Sequence, residues 1–347
     1  MTDLLPPIIP TEDFWSRQAN AQAYSFDCAP FGIPARITAN QAEVLAAARL
    51  SAGRYSQATE SSGEPIEIQI AVSQNTGAPL PDDLPVRLAY AGVGEWITVS
   101  AGDWGHCFAN LRTRMACVFL SQSLAADVRF VSRYLIDHYV LNLILTEWAM
   151  LHASCVLDAS RQRLIVMVAT HNTGKSTTAL RLTRAGYLFL ADGMALLRPP
   201  KPRAGSDPAG GSLVVGGYPI GEVKLRDDVL ALFPEYTGEA VRVREQQKTI
   251  VNLRAAHPDR IVESLITPAS IHVCFVERRA QLHTQIVSID VAEAVHLLTA
   301  NTVYWNDASK LEHNTAMLHR LLRIANLHRV CLGTDPDDIV ATIQKLA

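Results

Sequence analysis

Hydrophobic and polar positions follow two patterns along the chain. Between residues 21 and 125 short runs alternate: IEIQIAV at 66–72 puts an isoleucine at every second position, and parts of 86–91 and 96–100 behave alike, with Gly, Pro and Asp turns between them. Such alternation predicts half-buried strands, interrupted by one helix over 42–50 and followed by a strand pair over 107–120. A long helix is expected over 127–150, with Val128, Val131, Leu135 and Leu145 in the core and Arg129, Arg133 and Asp137 on a partly exposed face. After it the runs become continuously apolar. LIVMV at 164–168 suits a strand buried on both faces, reached through a hairpin that turns at 158–162. A helix with Leu180 and Leu182 toward a sheet ends at Gly186, and a strand over 187–191 delivers Asp192. Farther on, 270–276 reads as a buried strand, 291–299 and 311–325 as helices, 330–332 as a short strand and 336–347 as a last helix.

The stretch between the first strand and helix of that second half carries the chemistry. Ala169, Thr170, His171, Asn172, Thr173, Gly174, Lys175, Ser176 and Thr177 have the spacing of a phosphate-binding loop, G-x-x-x-x-G-K-[ST], with alanine in place of the first glycine. Loop amides and an exposed helix N-terminus suit anionic phosphates, a lysine reaches the β- and γ-phosphates, and the following hydroxyl suits Mg²⁺. Asn172 tolerates a left-handed backbone where similar loops carry glycine, whereas Ala169 requires a position free of that geometry. His171 reads either as a phosphate or substrate contact or as a solvated loop side chain.

These residues resemble the HPr kinase/phosphorylase family, and more closely its shorter HPr-kinase-like serine kinases. The likeness rests on THNTGKST, on RLTRAGY at the helix end, on Asp192 standing 17 residues after Lys175, and on LHAS at 151–154. It is strong over residues 150–200. It implies an α/β fold with a P-loop kinase core of HPr-kinase type, here with a mixed, strand-rich N-terminal region over 1–125 and the kinase-like domain over 126–347. By the same resemblance, Asp192 deprotonates or orients the acceptor and helps Ser176 hold Mg²⁺, Lys175 neutralises phosphate charge, and His152 lies close to the transferred phosphoryl group, where a cation would offset developing charge. Read from the residues alone, His152 is equally a core histidine bonded to backbone. YPIGEVKL at 218–225 also resembles the kinase-like relatives, with Lys224, or its rival Lys248, as a phosphate or substrate contact or simply a surface lysine. Two departures stand out: Gly193 replaces the second aspartate of the family's Asp-Asp pair, and the Arg-Gly-x-Gly-Ile signature of phosphorylase activity has no counterpart, so phosphorylase activity is not expected.

Composition narrows the alternatives. A chain of 347 residues with 48% hydrophobic residues can bury ample core and exceeds the usual single-domain size. A net charge of −3 gives no reason to expect nucleic acid as a partner. Six scattered cysteines without zinc spacing read as small buried hydrophobes, and a start broken by Pro6, Pro7 and Pro10 does not read as a signal peptide, so a cytoplasmic protein with no membrane span is expected. His106 and Cys107 lack distant partners for a zinc site, and Asp82 and Asp83 belong to a Pro-rich turn. His138 reads as a packed or solvated histidine, His313, His319 and His328 lie along the C-terminal region, and His319 with Arg320 decorates a helix surface. Lys201 and Arg203 lie in a Pro/Gly loop over 199–212 that is either a lid able to reach phosphates or a solvated segment. The expected activity is transfer of the γ-phosphoryl of Mg²⁺-ATP to a hydroxyl, a serine of a protein or peptide, with self-assembly left open. A nucleotide-binding regulatory module and a small-molecule kinase are the alternatives.

Overall fold

The computed structural model describes residues 23–52, 64–73, 79–80, 88–201, 212–243, 246–299 and 308–346. It divides into two compact units, Met1–Thr146 and Glu147–Ala347. Asp82, Asp83 and Arg203 lie outside the described residues.

In the first unit, β1 (Tyr24–Cys28), β2 (Ala35–Ala39), helix α1 (Leu45–Ser51), β3 (Ile66–Val72), β4 (Ala89–Val93), β5 (Trp96–Ser100), β6 (Gly105–Asn110) and β7 (Met115–Leu120) follow in order. The strands form one seven-stranded sheet, β1-β2-β3-β7-β6-β5-β4, in which β2, β3 and β7 run parallel. The alternation in IEIQIAV is used as expected: Ile66, Ile68, Ile70 and Val72 are buried while Glu67 is exposed. α2 (Gln122–Ala126) follows. The helix expected over 127–150 begins where Asp127 accepts a hydrogen bond from Phe130 N at 2.9 Å, passes through a π-helical stretch at Val131–Ile136, and ends with α3 (Asp137–Ile144). It therefore stops short of 150 and belongs to the first unit, not to the unit that carries the 169–174 loop. Competition for the backbone explains the early stop. Ala149–Leu151 pairs as strand β8 with Ala195–Leu197, and Met150 N donates to Asn314 Oδ1 at 2.6 Å, so tertiary partners take groups that a helix would have bonded internally.

The second unit continues with β9 (Ser154–Asp158), β10 (Arg163–Val168), α4 (Lys175–Arg184), β11 (Leu188–Asp192), β12 (Met194–Arg198), β13 (Val214–Tyr218), β14 (Glu222–Leu225), β15 (Gly238–Val243), β16 (Gln246–Asn252), β17 (Ser270–Arg278), β18 (Gln285–Ser288), α5 (Val291–Thr299), α6 (Ala308–Ile324), β19 (Asn326–Leu332) and α7 (Pro336–Gln344). A six-stranded sheet, β11-β9-β10-β17-β19-β18, is its centre, with two three-stranded sheets, β13-β12-β8 and β14-β16-β15, beside it. β10, β17 and β19 are parallel, and β9 runs antiparallel to both β10 and β11. Leu164, Val166, Val168, Val273 and Phe275 pack from one face against Leu298 of α5 and Leu318, Leu321 and Leu322 of α6. α4 packs against β9 and β11, and Gly186, at φ +106, ends it as expected. The expected short strand at 330–332 is longer, because Asn326–Leu332 finds β17 on one side and β18 on the other.

This is an α/β architecture with a strand-rich first unit. Among the described residues no helix is long and apolar enough to cross a membrane.

Candidate active site

Strand direction assembles the site. The carboxyl ends of β10, β11, β17 and β19 share one edge of the sheet with the start of β9, so the 169–174 loop, Asp192 and Ser154 meet there, as ligand sites do in open α/β sheets.

Backbone geometry makes the loop. Asn172 has φ +63 and Gly174 φ +111, while Ala169 is not among the residues with positive φ, so alanine is tolerated at the one position and asparagine serves at the other. Gly174 is doubly required, since an added Cβ would also lie 3.2 Å from Leu332 Cδ1. Thr173 Oγ1 donates to Thr170 O at 2.9 Å and tightens the turn. Thr178 N then bonds Gly174 O at 2.9 Å and starts α4, whose first turn buries Thr177.

Lys175 is buried and folds back over the loop, donating from Nζ to Ala169 O at 2.6 Å and Thr170 O at 3.0 Å. Burial holds its pKa below the ordinary lysine value, opposed by the charge of Asp192. Asp192 Oδ1 receives two hydroxyl hydrogen bonds, from Ser176 at 2.8 Å and from Ser154 at 2.5 Å. Among the described residues no donor is aimed at Oδ2. Burial pushes the Asp192 carboxyl above the usual aspartate range, against those two hydrogen bonds and the charges of Lys175 and Lys224. The charge of Lys224, on β14, thus reaches the carboxylate, and Lys248 stands on the neighbouring β16.

His152, between β8 and β9, is partly buried and meets the ring of His171 edge-on, with centroids 5.1 Å apart. It therefore stands at the loop, neither fully buried nor exposed. Its charge differs from expectation, however. Burial, then Lys175 and His171, lower its pKa to about 4, so the imidazole is neutral near pH 7 and not the cation expected there.

Gly193 takes φ +108 and donates from its N–H to Ala153 O at 3.1 Å. Nothing lies within 4 Å of a Cβ built on it, but its left-handed φ is one that residues other than glycine rarely adopt. Among the described residues no group of three His, Cys, Asp or Glu side chains is placed to hold a metal ion. A pair such as Ser176 and Asp192 is nevertheless enough for Mg²⁺, which keeps several waters and completes its shell with phosphate oxygens.

The remaining sequence candidates stand elsewhere. Cys107 lies buried in β6, its thiol pushed up to about 12, and His138 packs against Tyr90 with ring centroids 4.8 Å apart. His328 bonds His272 in the core at 3.0 Å between ring nitrogens, and His319 is exposed. All six cysteines are free thiols, and all but Cys28 are buried. Two residues were given no role by sequence reasoning and belong to this edge: Ser154, within LHAS, and Arg278, at the end of β17. The signal for Arg278 was its place just beyond a buried strand parallel to the one feeding the loop.

The chain matches no family model and no curated protein.

Proposed function

We propose that the second unit is a Mg²⁺-ATP-dependent phosphotransferase that moves the γ-phosphoryl group to a hydroxyl, with a serine of a protein or peptide as the acceptor. The observation that carries this reading is the 2.8 Å bond between Ser176 and Asp192, which joins the hydroxyl after the loop lysine to a carboxylate on the neighbouring strand end. Chance matches to a phosphate loop lack that pairing as well as the strand and helix on either side.

The residues suit both the nucleotide and the metal. Phosphates would lie across the loop amides at the N-terminus of α4, and Lys175 would exchange its two carbonyl acceptors for phosphate oxygens. Ser176 and Asp192 would hold Mg²⁺, which would supply positive charge to offset that of the phosphates. In transfer, the acceptor oxygen attacks the γ-phosphorus, the bond to the β–γ bridging oxygen breaks with its electron pair leaving on ADP, and Asp192 Oδ2 takes the acceptor's proton. His152, at the loop, would hydrogen-bond the phosphoryl group, with Lys224 as a further cation acting on Asp192.

Incubating the protein with Mg²⁺ and γ-labelled ATP in a lysate of its own host tests this. A labelled protein band supports the reading, whereas label only in a small metabolite means a small-molecule kinase. Release of phosphate alone means an ATPase. No turnover with retained ATP binding means a regulatory module, the reading favoured by the lone carboxylate beside Gly193.

A further inference from the structure

Three cations approach the loop from different directions, and only two of them have a role above. Lys175 lies within it and Lys224 approaches on the Asp192 side. Arg278 comes from the opposite flank. Its Nε lies 3.8 Å from the position of a Cβ on Gly174, and its strand neighbour Leu332, which is buried, presses on the same glycine. Arg278 is exposed, and among the described residues no carboxylate pairs with it, the adjacent Glu277 being taken by Arg279 at 2.8 Å. Arg278 also bears on Arg181, whose pKa is lowered by burial first, then by Arg184 and Arg278, and as an exposed guanidinium at the loop lip it is open to a ligand.

We infer that Arg278 receives the nucleoside end of the nucleotide. The inference rests on the phosphate-loop reading and follows from its direction. Ser176 and Asp192 mark the γ end, on the β9–β11 side of the loop. A triphosphate anchored there and laid across the start of α4 runs toward β17 and β19, where its base meets the guanidinium. A planar guanidinium stacks on an aromatic base in a way that an ammonium cannot.

The test compares Mg²⁺-ATP with Mg²⁺-tripolyphosphate, which has the phosphates without the nucleoside, by calorimetry on wild type, Arg278→Gln and Arg278→Lys. The expected result is about tenfold weaker ATP binding in both variants with tripolyphosphate binding unchanged, the size of a well-placed cation–π contact. Unchanged ATP affinity overturns the inference, and so does equal weakening of both ligands, which would make Arg278 a phosphate contact. A wild type that binds neither ligand overturns the phosphate-loop reading itself, and with it this inference. A wild type that binds both, alongside unaffected variants, removes this inference alone.

Discussion

Ser176 Oγ donates to Asp192 Oδ1 at 2.8 Å, so that the first turn of α4 and the last residue of β11 share one hydrogen bond. Ser154, from the start of β9, reaches the same oxygen at 2.5 Å. Three elements are thereby locked around one carboxylate oxygen, while the other carries no donor among the described residues. The proposed chemistry depends on that asymmetry, and the predictions below address its parts in turn.

Mg²⁺-ATP should stabilise the fold. Ligand at about one hundred times its dissociation constant adds ~2.7 kcal/mol, which thermal melting detects readily. Lys175→Ala should remove most of the shift, because in the proposed mode the buried ammonium, now bonded to Ala169 O and Thr170 O, would meet the phosphates. An equal shift in the variant would place the nucleotide elsewhere.

Asp192→Asn should separate chemistry from binding. The substitution preserves shape and removes the base, and Gly193 offers no carboxylate to replace it, so transfer should fall ~10²–10⁴-fold. Nucleotide affinity should change far less, since loop amides and Lys175 make the phosphate contacts. Transfer at nearly the wild-type rate would sink the mechanism even if ATP binds.

Ser154→Ala should slow turnover by about tenfold, the loss of one hydrogen bond to a charged group, while leaving the dissociation constant for Mg²⁺-ATP nearly unchanged. The hydroxyl touches Asp192 and, among the described residues, no part of the phosphate loop. Ser154→Thr keeps the donor and should recover much of the rate. If affinity and turnover fall together, Ser154 supports the loop rather than the carboxylate.

Stability should fall with acid through the His272–His328 pair. Burial, then His328, then Arg163, bring the His272 pKa down to about 4 in the folded chain, against about 6.5 when unfolded. Between these values the unfolded chain binds the extra proton, so the contribution is complete above about pH 6.5 and is lost as pH falls toward 4. Melting temperature should therefore drop across that window, and His272→Gln should flatten the slope. An unchanged slope would mean that this pair does not carry the acid sensitivity.

Several features of the chain were set by local physics and are legible in the residues alone. LIVMV has no polar position to expose and so becomes a strand buried on both faces; G-K-S after it starts a helix; Gly186 ends that helix; and Asn172 supplies the left-handed turn at φ +63. Each depends on neighbours within a few residues. The end of the helix at Ile144 depended instead on Leu197 and Asn314, far along the chain, whose pairing with Ala149 and Met150 outweighed a helical pattern that ran on to 150. Tertiary structure likewise lets the charge of Lys224, on a strand remote in sequence, act on Asp192. It kept His152 neutral, because burial and a neighbouring ammonium are properties of the assembled site. It also brought Arg278 to Gly174, since parallel strands remote in sequence end at one edge. Residue type and spacing decide which groups a chain has available; only packing decides which of them share a low-dielectric edge and what charge they carry there.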